Sequence, residues 1–140
     1  MKILLPIDGS PFSTRVVRYV TKHLQMFGKR PGITLVHVDS PMIERVSKYI
    51  GPEDIARFHE KNAATALASA RRVLSKARIR FRERCLVGEP GDCIARVAKE
   101  EGSDLIAMGS HGRGALKSLL LGSVVTKTLA LTRVPVLVVR

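Results

Sequence analysis

Short, unbroken apolar runs alternate with segments of helical period along the whole chain, and this alternation narrows the fold more than any other feature. Ile3 to Ile7 is the first run and ends at Asp8-Gly9-Ser10-Pro11. Ser10 followed by Pro11 marks a helix start, with Ser as N-cap and Pro at the first helical position. Phe12, Val16, Val20, Leu24 and Phe27 then recur near helical spacing, and Gly28 is a stop. Ile33 to Val38 is the second run, and residues 39–52 read as a connection with a short helical piece. A long helix is expected from about Glu53 to Ala77, with an apolar stripe rich in alanine that lets it pack close to a sheet. Arg78 to Val87 is read as a third strand, Asp92 to Glu101 as a helix and Asp104 to Met108 as a fourth strand. A helix from Val124 to Ala130 and a last strand from Val134 to Val139 close the chain. Runs apolar on both sides call for a parallel sheet covered on both faces. Right-handed crossovers then leave a single doubly wound α/β domain of five strands. In such sheets ligands sit beyond the carboxyl ends of the strands, and Asp8, Val38 and Gly109 all lie at such ends.

With 140 residues, 45% of them hydrophobic, the chain can bury one core without staples. Its two cysteines, Cys85 and Cys93, have no metal-ligand or disulfide-framework spacing. Asp8 interrupts the first apolar run before a signal peptide could form, and no stretch approaches the ~20 apolar residues of a membrane span. A cytoplasmic location without a membrane partner is therefore the expectation. The formal net charge of +12 favours contact with anions or polyanions, or is carried by charges that merely face water.

The chemistry concentrates between Gly109 and Ser123, where a glycine-rich stretch joins a strand to a helix. That arrangement aims free backbone N–H groups and a helix N-terminus at an anion. Gly109, Gly112 and Gly114 permit positive φ and leave room for a ligand against the backbone. Gly122-Ser123 opens the following helix, where N–H groups and a hydroxyl can hold a phosphate. Arg113 and Lys117 add charge. The competing reading is a surface loop whose glycines only make turns. A P-loop is excluded, because no Gly-Lys-Ser or Gly-Lys-Thr occurs. A dinucleotide fingerprint is excluded too, since Gly112-Arg113-Gly114 lacks its third glycine.

The spacing Gly109-x2-Gly112-x9-Gly122-Ser123 resembles the G-2x-G-9x-G-(S/T) signature of the ATP-binding universal stress proteins. The opening Leu5-Pro6-Ile7-Asp8-Gly9-Ser10, the stretch from Met108 to Gly114 and the ending Val134 to Val139 are similar as well. The resemblance runs the length of the chain. It implies a sheet in the order 3-2-1-4-5 and ATP bound between the ends of strands 1, 2 and 4. By position, Pro6, Asp8 and Val38 would border adenine and ribose. Met108, Gly109, His111, Gly112 and Arg113 would line ribose and phosphates, and Gly122, Ser123 and Val124 would hold phosphate at the helix start. Mg²⁺ is expected with the nucleotide, as divalent metals accompany its phosphates. Asp8 is expected to serve the helix start or the adenine edge rather than the metal. The family also implies a homodimer through the last strand. The expected role is a nucleotide-dependent regulator, with at most slow hydrolysis, since the sequence shows no acidic pair and no well-placed base for fast turnover.

Two rival classes stand beside this reading. A nucleic-acid- or polyanion-binding module would use the ladder Arg78/Arg80/Arg82/Arg84, although stacking aromatics are missing from it and a charge-protected edge strand explains it as well. A phosphotransferase would use His111 as general acid or base. His23, His37 and His59 lie on separate elements and read as structural or solvated.

Overall fold

The computed structural model describes residues 1–114 and 120–140. Five strands form one sheet in the order β3-β2-β1-β4-β5, with every pair parallel. The strands are β1 (Lys2–Pro6), β2 (Gly32–Asp39), β3 (Phe81–Val87), β4 (Leu105–Gly109) and β5 (Val136–Val139). The helices are α1 (Pro11–Lys22), a one-turn α2 (Glu44–Ser47), α3 (Pro52–Lys76), α4 (Pro90–Glu100) and α5 (Ser123–Leu131). This is the expected doubly wound fold and strand order.

Side chains alternate across each strand, so the central strands feed two cores. Ile3, Leu5 and Leu35 pack with Val16, Val20, Leu67 and Leu74 of α1 and α3 on one face. Leu4, Val36 and Ile106 pack with Ile94, Val97 and Val125 of α4 and α5 on the other. That double burial is why these strands read as continuous apolar runs. The helix starts follow their local chemistry. The Ser10 hydroxyl accepts from Ser13 N at 3.2 Å, and the Glu89 carboxylate accepts from Asp92 N at 2.9 Å. Among the described residues no helix is long and apolar enough to cross a membrane.

Several boundaries differ from expectation, each for a local reason. The first helical stretch ends at Lys22, and Leu24–Phe27 forms a separate 3₁₀ turn. α4 starts at Pro90, because Glu89 caps it and proline is suited to its first turn. β5 starts at Val136; Val134 N is diverted to the Thr132 hydroxyl at 3.0 Å. β3 starts at Phe81, not Arg78. Arg78 is in the left-handed conformation at φ 55°, and Ile79 N bonds back to Leu74 O at 3.0 Å, which closes α3 first.

The arginine ladder is therefore split. Arg78 and Arg80 precede the strand, while Arg82 and Arg84 lie on it and pair with acids of the α4 terminus. Arg82 lies 3.3 Å from Glu101, and Arg84 lies 3.2 Å from Glu101 and 3.4 Å from Glu100. β3 is indeed an edge strand, but its two arginines are committed rather than free.

Candidate functional site

All strands run parallel, so their carboxyl ends meet at one side of the sheet, and there the chain leaves a cavity of about 410 Å³. β1 supplies Pro6 and, just beyond its end, Asp8; β2 supplies Val36 and Val38; β4 supplies Met108 and Gly109. His111, Gly112 and Arg113 come from the segment after β4, and Gly122, Ser123 and Val124 from the start of α5. Every described residue singled out from the sequence for this site thus borders that cavity. Lys117 lies outside the described residues.

The glycines act differently from expectation. Gly109, Gly112, Gly114 and Gly122 all have φ outside the positive region. Three of them are needed for close approach instead. A Cβ on Gly109 would stand 2.8 Å from Phe12 Cβ, and one on Gly112 2.8 Å from Asp8 Oδ2. One on Gly122 would stand 3.3 Å from His111 Cα and 3.4 Å from Ser110 O. Among the described residues nothing lies within 4 Å of a Cβ on Gly114. The spacing G-x2-G-x9-G therefore marks three places where backbone must pack against α1, the Asp8 carboxylate and the returning loop. Gly122 N donates to Ser110 O at 2.8 Å and closes that loop on itself.

Asp8 is the pin of this arrangement. One carboxylate oxygen accepts from Ser10 N at 2.9 Å and the other from Arg113 N at 3.1 Å. Burial pushes its pKa up, but the hydrogen bonds from Ser10, Ser13 and Arg113 outweigh burial and hold the carboxyl below its ordinary range. Both oxygens are thus engaged by backbone, and the residue joins the α1 start to the loop after β4. Asp39, between the cavity residues Val38 and Ser40, faces other partners. It lies 2.7 Å from His59 Nδ1 and accepts from Asn62 Nδ2 at 2.7 Å, which anchors the end of β2 to α3.

Electrostatically, the α5 terminus is what distinguishes the cavity. The N-termini of α1 and α4 are closed by Ser10 and Glu89. α5 starts at Gly122 without a side-chain cap and without an acid in its first turn. Among the described residues no side chain caps its first N–H groups, so its positive dipole end beside Ser123 suits an anion. Much of the remaining lining is apolar: Pro90, Ile94 and Val125 join Val36, Val38 and Met108, a surface suited to a flat heterocycle.

Sequence reasoning missed Pro90, Ile94 and Val125, together with Ile7, Ser13, Val36 and Ser40. Their periodicity marked them only as core or turn residues. His111 borders the cavity, its Nδ1 lies 3.0 Å from the Ser110 hydroxyl, and its ring packs at 5.5 Å from Phe12.

Comparison with known proteins adds an independent observation. A profile described as the Universal stress protein family matches residues 1–140. A universal stress protein of Thermus aquaticus is 35% identical over 143 residues, covering 99% of this chain and 97% of that one. One of Methanocaldococcus jannaschii is 30% identical over 156 residues, covering 99% and 94%. Its solved structure superposes with a TM-score of 0.84 over 99% of this chain and 94% of that one, at 29% identity. Two further solved structures share the fold at 23% identity. One, a universal stress protein in complex with cAMP, has a TM-score of 0.72 over 100% of this chain and 97% of that one. The other, from Archaeoglobus fulgidus in complex with dAMP, has a TM-score of 0.70 over 100% and 98%.

Proposed function

The chain belongs to the universal stress protein family, and from that premise we propose that it binds an adenine nucleotide, ATP with Mg²⁺ in the first instance, and acts as a nucleotide-dependent regulator. The observation that carries this reading is the uncapped α5 N-terminus beside a glycine-packed loop, bordering a cavity whose lining also includes a group of apolar residues. Phosphates suit the helix start and a base the apolar residues. The ligands of the similar structures, cAMP and dAMP, support the adenine class.

The residues present fit the nucleotide. Gly122, Ser123 and Val124 would receive phosphate through N–H groups and the Ser123 hydroxyl. His111, Gly112 and Arg113 would border ribose and phosphates, with Met108 and Gly109 beneath them. Pro6 and Val38 would border the base. Asp8 holds the loop that forms the phosphate side. Mg²⁺ would be held chiefly by phosphate oxygens and water, because Asp8 is the one acid bordering the cavity among the described residues and both its oxygens are engaged. The same fact supports slow hydrolysis at most, since no second carboxylate stands ready to activate water. The phosphotransferase alternative would rest on His111 alone.

We assign the homodimer to β5. Ile106 N bonds Pro135 O at 2.9 Å and Ser110 N bonds Val139 O at 3.0 Å, so alternate residues of β5 face β4. The backbone groups of Val136 and Val138 then face outward, free to pair with a second copy. A cytoplasmic location suits such a regulator.

Titration calorimetry with Mg-ATP, ADP and AMP tests the reading. Saturable heat is expected, with affinity lowered by more than tenfold in Gly122→Val, whose Cβ would press on the His111 backbone. No heat with any adenine nucleotide, or equal affinity in a folded Gly122→Val, overturns it.

A further inference from the structure

A group of exposed cations lies at the pole of the sheet opposite the cavity. Parallel strands place every strand start, and the ends of the long helices, at that opposite pole. The connections there carry Lys29, Arg30, Arg78, Arg80 and Arg133, all exposed. Among the described residues none of these five forms an ion pair.

The acids of the same pole are already spent. Glu100 pairs with Arg84 and Arg96, Glu101 with Arg82 and Arg84, and Asp104 accepts from Lys2 N at 2.6 Å. Lys22, Lys76 and Lys99 also lie here, but each sits in the last turn of a helix, where a cation complements the dipole. The five in the connections have no such role. Arg78 even occupies a left-handed position, φ 55°, that glycine would fill with less strain.

Apolar side chains stand exposed among these cations. Met26, three residues before Lys29, is 69% exposed, and Leu131, two before Arg133, is 51% exposed. From Arg78 and Arg80 at the β3 edge to Arg133 at the β5 edge the row spans the sheet, roughly 19 Å at the usual strand spacing. We propose that this pole docks on the surface of an anionic lipid bilayer. Such a surface offers phosphates to a broad row of cations and a headgroup boundary into which Met26 and Leu131 can dip. A nucleic-acid backbone would satisfy the cations but leave those two side chains in water, and Phe81, the aromatic beside Arg80, packs against the core. Docking of this kind needs no membrane span. It leaves the nucleotide cavity facing away from the membrane and is independent of what that cavity binds.

Flotation of the full chain with vesicles tests the proposal. Binding is expected to phosphatidylcholine vesicles containing about a third phosphatidylglycerol, at about 0.1 M salt, and not to phosphatidylcholine alone. Each basic residue near an anionic leaflet strengthens binding roughly fivefold. The quadruple variant Lys29→Glu, Arg30→Glu, Arg78→Glu, Arg80→Glu is therefore expected to lose about a hundredfold or more. Arg78→Gly relieves the left-handed backbone yet is expected to weaken binding about fivefold, which separates charge from folding. Met26→Ser is expected to weaken it severalfold without altering charge. A charge-matched control at the cavity end, Arg45→Glu, Lys48→Glu, Arg57→Glu, Lys61→Glu, is expected to bind within about twofold of wild type, since those residues stand beyond a Debye length from a surface docked at the opposite pole. Equal binding to neutral vesicles, undiminished binding by the quadruple variant, or salt-sensitive binding to duplex DNA with none to vesicles overturns the proposal.

Discussion

Gly109, Gly112 and Gly122 show how a short spacing can encode three-dimensional contact. At Gly109 and Gly112 the Phe12 Cβ and the held Asp8 carboxylate take the place of a Cβ, and at Gly122 the His111 backbone crowds it. Gly109→Ala and Gly112→Ala are each expected to cost about 1–3 kcal/mol in denaturant unfolding, as overpacking does. Gly114→Ala, whose Cβ meets nothing within 4 Å among the described residues, is expected to stay within about 0.5 kcal/mol. Asp8 adds a pH dependence. Its folded pKa lies below the ordinary value of 3.8, so its stabilisation is complete above that value and is lost as pH falls through the folded one. Unfolding measured across that acid range is expected to show an extra loss of stability relative to Asp8→Ala, which lacks the titrating group. The importance of Asp8 was legible from its place after the first strand. Its bond to Ser10 N at the helix start was legible too, but its bond to Arg113 N was not, because Arg113 is more than a hundred positions away along the chain.

Among the elements, α5 and β5 carry most of the functional argument. Three helix N-termini open toward the same cavity, and only comparison of their caps shows that α5 alone of these is left uncapped. The Gly122-Ser123 start was visible as a sequence signal; the engagement of the rival termini depended on local cap geometry. For β5, Val138→Pro removes an outward N–H while leaving the bonds to β4 intact. Sedimentation is expected to show this variant as a monomer at concentrations where the wild type is a dimer, with little change in helix content. A wild type that sediments as a monomer rejects the assignment of the dimer to this edge.

Taken together, the parallel layout gives the molecule two unlike poles, a cavity with an anion-seeking helix start and a basic pole opposite it. Ligand binding at the first pole stabilises the whole fold by mass action. At a nucleotide concentration about a hundred times Kd the gain is ~2.7 kcal/mol, read as a rise of several degrees in Tm. Wild type is expected to show this rise and Gly122→Val to show little of it.

The order of strands and helices, the two-layered core and the site's neighbourhood at the strand ends were all readable from the chain. Apolar periodicity, caps and turn residues act over a few positions, and the parallel topology follows from them with few alternatives. What the chain could not disclose were the partners of each charged or packed group. Whether Arg84 is free or pinned to Glu100 and Glu101, whether Asp8 is also tied to Arg113, and why Gly112 is crowded at its Cβ position depend on residues brought together by folding. Those pairings are set by the sheet's crossovers, which join distant segments at distances no local pattern records.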